Sequence, residues 1–145
     1  MIITMAIWQA NFSLINPDGM ISLENEKSVN SIGKLCSCFP EKTSWSKNIR
    51  QFGEIDSTCI EFLYESIVES NDIYEIHVRL DLRSLTMEEL KLICSFALEN
   101  NLLVLVDSVF YEPTIPLLTD VIRNSDAHRF LSDPEGFLNS INEDL

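Results

Sequence analysis

Strict alternation of apolar and charged residues over 73–83 constrains the fold of this chain more than any other feature. The apolar positions are Tyr74, Ile76, Val78, Leu80 and Leu82, and the positions between them are Glu75, His77, Arg79, Asp81 and Arg83. Successive side chains of a β-strand point to opposite faces of a sheet. The pattern therefore predicts a strand with one buried face and one charged face.

The preceding segment, 59–68, shows the same alternation and predicts the other half of an antiparallel hairpin. A slip of one residue would turn one apolar face toward water, which limits the registers that are allowed. We favour the register that sets Glu61 directly opposite Arg79, because opposite charges stabilise a cross-strand pair. We expect this charged face to be solvated and to carry surface ion pairs.

Helices and further strands are expected around this hairpin. Thr86 and Glu89 form a capping box that starts a helix, and Thr114 is placed to cap another. Apolar spacing of three and four predicts helices over 26–39 and, more briefly, from Trp45 to Phe52. The remaining predictions are a first strand over 2–8, a fully buried interior strand over 102–106 and a last helix that Asp133 and Pro134 open. These elements indicate an α+β fold, a mainly antiparallel sheet with a central hairpin, covered by helices.

The chain has 145 residues, and we expect residues 1–145 to form a single globular domain. Its longest strongly apolar run, 102–106, is far shorter than the roughly 20 residues that a membrane span needs. No basic segment precedes the apolar N-terminal residues, so we expect a protein that is not exported. The irregularly spaced Cys36, Cys38, Cys59 and Cys94 suit reduced thiols of the cytoplasm better than disulfides or a metal site.

Acidic charge narrows the choice of partners. The net charge is −13 with ten Lys and Arg in all, which argues against binding to nucleic acid or to an anionic membrane. No Lys or Arg occurs between Gln51 and Val78, a segment that contains Glu54, Asp56, Glu61, Glu65, Glu69, Asp72 and Glu75. Such a run either keeps the protein soluble or steers a basic protein toward it.

No residue pattern indicates an active site, a metal site or a cofactor site. The best catalytic hypothesis uses His77 with Asp81 or Glu61, since histidine titrates near neutrality. Phe110 and Tyr111 are adjacent aromatics that we expect in a loop, where they point to opposite sides. One of them is then either an interface anchor or a cover over a neighbouring helix.

Several segments together resemble a known class of bacterial proteins. They are Gly53-Glu54-Ile55-Asp56, Arg79-Leu80-Asp81-Leu82-Arg83, the helix 88–101, the run 124–131 and Asp133-Pro134-Glu135. Their order resembles that of small immunity proteins of polymorphic toxin systems, including contact-dependent growth inhibition, and the resemblance covers about residues 45–140. It implies a cytoplasmic antidote that binds one cognate toxin domain, often a nuclease. The resemblance identifies no catalytic residue in this chain.

The leading hypothesis is therefore an immunity protein that binds a basic toxin domain through the acidic run, with Phe110 or Tyr111 as an anchor. An acidic adaptor or a secretion-associated chaperone is the first alternative. A small enzyme that uses His77 is the second. A deep pocket around His77 would favour the enzyme, and a flat sheet face would favour binding.

Overall fold

The structure, a computed structural model, describes residues 7–65 and 72–143, and for 140–143 it describes the backbone alone. The described strands are β1 (Gln9–Ile15), β2 (Glu41–Lys42), β3 (Ile49–Gly53), β4 (Cys59–Tyr64), β5 (Ile73–Asp81), β6 (Leu103–Val106) and β7 (Val109–Tyr111). The described helices are α1 (Glu26–Cys38), α2 (Met87–Glu99), α3 (Ile115–Arg123), α4 (Asp126–Ser132) and α5 (Pro134–Glu143). This arrangement confirms the predicted α+β fold.

The strands form one antiparallel sheet in the order β2-β3-β4-β5-β1-β6-β7. The hairpin of β4 and β5 lies at its centre, as predicted. One face of the sheet contributes apolar side chains to a core that also includes residues of α1 and α2. Phe62 of β4, for example, stacks on Phe96 of α2 with 5.9 Å between ring centroids. None of the described helices is both long and apolar enough to cross a membrane.

Local signals start two helices where the sequence predicts them. The Thr86 hydroxyl accepts a hydrogen bond from the Glu89 amide at 3.1 Å, and the Glu89 carboxylate accepts one from the Thr86 amide at 2.9 Å. Thr114 likewise caps α3 by accepting from the Leu117 amide. Capping bonds of this kind satisfy amides that a helix leaves without an internal partner.

Three sequence predictions are wrong or only partly right. Trp45 to Phe52 is not helical, because β3 pairs along β4 and its residues alternate between the two sheet faces. The strand predicted over 2–8 falls mostly outside the described residues, and the first described strand begins at Gln9. β6 is an interior strand as expected, but of its four residues only Val104 is fully buried.

The hairpin register is shifted from the preferred one by two residues along one strand. Glu61 lies opposite His77, and Cys59 lies opposite Arg79. The predicted orientation of the apolar faces is nevertheless correct, since Phe62 pairs with Ile76. Glu61 still forms the expected ion pair with Arg79, but it does so diagonally across the two strands. A long arginine side chain spans this diagonal, so charge pairing alone does not distinguish the two registers.

Candidate functional site

The second face of the sheet carries a buried ion pair. Nη2 of Arg79 lies 2.9 Å from Oε1 of Glu61, and the two side chains are 4% and 2% exposed. Trp45 Nε1 donates a hydrogen bond to the other oxygen of Glu61 at 3.3 Å. The prediction that this face is solvated is therefore wrong, because segments outside the sheet add contacts over it.

Arg79 is incompletely satisfied in its buried position. Its Nε and Nη1 atoms have no hydrogen-bond partner among the described residues. A buried donor without a partner costs about 1 to 3 kcal/mol, and more when the group is charged. The pair of Glu61 and Arg79 thus holds the two strands together at a cost in desolvation.

His77 lies beside this ion pair in a position poorly suited to catalysis. Its Nδ1 atom is 3.9 Å from Oε1 of Glu61, and its Nε2 atom is 3.4 Å from Nδ2 of Asn11. Burial and the neighbouring Arg79 charge lower the pKa of His77, so the imidazole is neutral at pH 7. His77 is not among the residues that line the cavity at β1.

Asp81, the other partner in the catalytic hypothesis, is held by structural hydrogen bonds. Its carboxylate accepts from Nη2 of Arg83 at 2.9 Å and from the Ser57 hydroxyl at 3.2 Å. Burial raises the pKa of Asp81, but the bonds from Arg83 outweigh it and the net change is a lowered pKa. The loop 54–58 is also tied to β1, since Nε2 of Gln9 donates to the Ile55 carbonyl at 3.1 Å. Asp81 therefore anchors the 54–58 loop and remains ionised.

The predicted acidic run does not form one continuous surface. Glu54 and Asp56 are exposed before β4, whereas Glu65 and Asp72 are exposed beyond its other end. A strand of this length separates the two groups by about 20 Å. Glu54 is also within 3.3 Å of the Lys42 ammonium group.

The other carboxylates of the run take different positions. Glu61 is buried and belongs to the ion pair described above, which corrects the expectation that it faces a partner. Glu75 is half-buried and accepts a hydrogen bond from the Ser13 hydroxyl. Glu69 lies outside the described residues.

Phe110 and Tyr111 do not lie in a loop but form part of the edge strand β7. Phe110 pairs with Leu105 and is 52% exposed, whereas Tyr111 pairs with Val104 and packs against the core. The expectation that they point to opposite sides is confirmed. Of the two, Phe110 is the aromatic available to a partner.

A notch of about 540 Å³ lies where β1 and β6 separate. β6 pairs with β1 only from Ser13 to Ile15, and the chain then turns away at Asp107 and Ser108. Both turn residues have positive φ, 49° and 66°, which is the backbone of a tight two-residue hairpin turn. The segment that joins α3 to α4 forms the opposite wall.

The notch is acidic. Asp107, Asp120 and Asp126 line it, and no Lys or Arg occurs among its described lining residues. All three aspartates are exposed to solvent. Arg129 pairs with Asp126 from outside the notch at 3.3 Å, but both side chains are more than half exposed, and such a pair contributes little.

Sequence reasoning missed the notch because its parts are distant in the chain. Nothing in the sequence near Asp107, Asp120 or Asp126 distinguishes these residues from ordinary surface aspartates. Only the short pairing of β6 and the turn into α4 bring them together. Comparisons with models of protein families, with curated proteins and with solved structures found no match for this chain.

Proposed function

We propose that this protein is a cytoplasmic immunity protein that binds and neutralises a basic toxin domain, such as a nuclease, of a bacterial polymorphic toxin system. The observation that carries the proposal is the acidic notch at β1, a concave site with three aspartates and no Lys or Arg among its described lining residues. A partner with Lys or Arg on a protruding segment is its natural complement. The net charge of −13 favours the same class of partner.

The exposed carboxylates of the acidic run add a longer-range contribution in this proposal. Glu54, Asp56 and Glu65 attract a basic partner before contact, whereas the notch binds it. Phe110 is exposed on β7 and points to the opposite side from Tyr111, which lines the notch, so in this proposal it is an aromatic anchor beside the notch. Buried aromatic anchors surrounded by polar groups are typical of tight protein interfaces.

The enzyme alternative receives less support from the geometry. Glu61 is paired with Arg79, Asp81 is paired with Arg83, and the pKa of His77 is lowered. No observation favours an acidic adaptor or a secretion-associated chaperone over an antidote. One experiment separates these two from the proposal.

The experiment is co-expression with the product of the reading frame next to the gene. The proposal expects that product to be toxic alone, to form a stable complex with this protein, and to lose its toxicity in that complex. A harmless partner that forms a complex would instead indicate an adaptor or chaperone. A toxic neighbour that this protein neither binds nor neutralises would contradict the proposal.

A further inference from the structure

The backbone of β1 is open toward the notch at Asn11. The Leu82 amide donates to the Trp8 carbonyl, so the backbone groups of Trp8 point toward β5. Consecutive residues of a strand direct these groups to alternate sides. Those of Asn11 and Ser13 therefore point away from β5, toward β6.

Ser13 has a strand partner on that side, whereas Asn11 has none among the described residues. Ser13 pairs with Leu105, and β6 ends one residue later at Val106. Within the described part of the chain, no strand pairs with Asn11 on the side of β6. One N–H group and one C=O group of β1 thus face the notch in the geometry of a sheet edge.

We infer that the notch binds an extended basic segment of the partner protein, which pairs with β1 at Asn11 as a short additional strand. This inference rests on the proposed function and names the element of the partner that would enter the site. Lys or Arg side chains of that segment lie against Asp107, Asp120 and Asp126. When a peptide adds a strand to a sheet, the backbone hydrogen bonds provide affinity and the pockets for its side chains provide specificity.

Charge determines the choice of occupant. A second copy of this chain would bring another net charge of −13 to an acidic site, which disfavours self-pairing. Nucleic acid is excluded by the same argument. A basic polypeptide in extended conformation satisfies both the carboxylates and the open backbone groups.

The test uses a synthetic probe, so it does not depend on the identity of the partner. The probe is an acetylated and amidated peptide of alternating Lys and Val, titrated into the isotope-labelled full-length protein and followed by NMR. We expect shifts at the amides of Asn11, Asp107 and Asp126, together with slower hydrogen exchange at Asn11. A peptide with Glu in place of Lys should not bind.

Two matched changes test the backbone pairing itself. Methylation of alternate peptide nitrogens removes the N–H that the peptide donates to the Asn11 carbonyl but keeps the charge, and we expect binding to weaken about fivefold, as for the loss of one net bond. Asn11→Pro should weaken binding in the same way. Pro is tolerated where a strand N–H faces an open edge, and Asn11→Thr, which keeps the N–H, should weaken binding less than Asn11→Pro does.

Three results would overturn the inference. They are equal binding by the methylated peptide, absence of binding by the Lys peptide, and a dimer in sedimentation that Asn11→Pro abolishes. None of these affects the co-expression experiment. A protein that neutralises its neighbour but fails the peptide test would keep the proposed function and lose strand addition.

Discussion

Glu61 and Arg79 form an ion pair of 2.9 Å between two side chains that are almost fully buried. Removal of one partner leaves the other charge buried, and breaking such a pair costs about 3 to 5 kcal/mol. We expect Glu61→Gln to reduce the free energy of unfolding by about 3 kcal/mol, measured by urea denaturation.

The double variant Glu61→Gln/Arg79→Met is the control for this prediction. It removes both charges and also the two arginine nitrogens that lack partners among the described residues. We expect it to be more stable than Glu61→Gln alone, because the buried charge is gone. If the double variant lost as much free energy of unfolding as Glu61→Gln and Arg79→Met lose together, this interpretation would be contradicted.

The stability that depends on His77 should decrease in acid. Burial and Arg79 lower the pKa of His77 in the folded protein, so the unfolded chain, with a value near 6.5, binds the proton more readily. The stability that neutral His77 contributes is present above about pH 6.5. It is lost as the pH falls toward the pKa of His77 in the folded protein. Relative to His77→Gln, the wild-type protein should lose stability as the pH falls through about 6.5. A constant difference between the two would contradict this prediction.

Gly53 should resist substitution far more than Gly33. Gly53 has φ of +85°, and an added Cβ would lie 2.3 Å from the Thr58 carbonyl oxygen. We expect Gly53→Ala to cost more than about 1 kcal/mol. Gly33 lies within α1 with nothing within 4 Å of an added Cβ, so Gly33→Ala should stabilise by about 0.5 to 1 kcal/mol. Thermal unfolding of the two variants measures both effects.

The cysteines should divide into two reactivity classes. Burial raises the pKa of Cys59 to about 12 and that of Cys94 to about 11, so neither forms a thiolate at pH 8. Cys36 and Cys38 are partly exposed. Thiol labelling followed by mass spectrometry should modify these two first and the other pair only on unfolding. Early labelling of Cys59 would contradict the buried position.

Local and periodic signals in the sequence predicted most of the fold. The capping box at Thr86 depends on residues three apart, and the two faces of the hairpin depend on alternation within single strands. Trp45 to Phe52 was misassigned because a short apolar spacing fits a helix as well as a strand. Pairing with β4, a contact between separate segments, decides in favour of β3.

The candidate site was much less predictable. The burial of Glu61 and Arg79 depends on segments outside the two strands that carry them. The notch depends on where β6 stops pairing with β1 and on how α3 turns into α4. Neither feature leaves a local pattern, so the sequence predicted an acidic partner-binding surface over 54–75 but not the notch.

Association and dissociation kinetics test whether the acidic notch binds a basic partner. Stopped-flow rates with the product of the neighbouring gene would be measured across a salt series for three proteins. They are the wild type, the notch variant Asp107→Asn/Asp120→Asn/Asp126→Asn and the control variant Glu54→Gln/Asp56→Asn/Glu65→Gln. Each variant removes three negative charges from exposed positions.

Salt screens exposed charges over a Debye length of about 8 Å at physiological ionic strength, so the wild-type rate should fall steeply with salt. We expect both variants to associate more slowly than the wild type, with a flatter salt dependence, and only the notch variant to dissociate faster. Equal dissociation rates for the two variants would mean that net charge alone acts, and would contradict the assignment of the notch as the binding site.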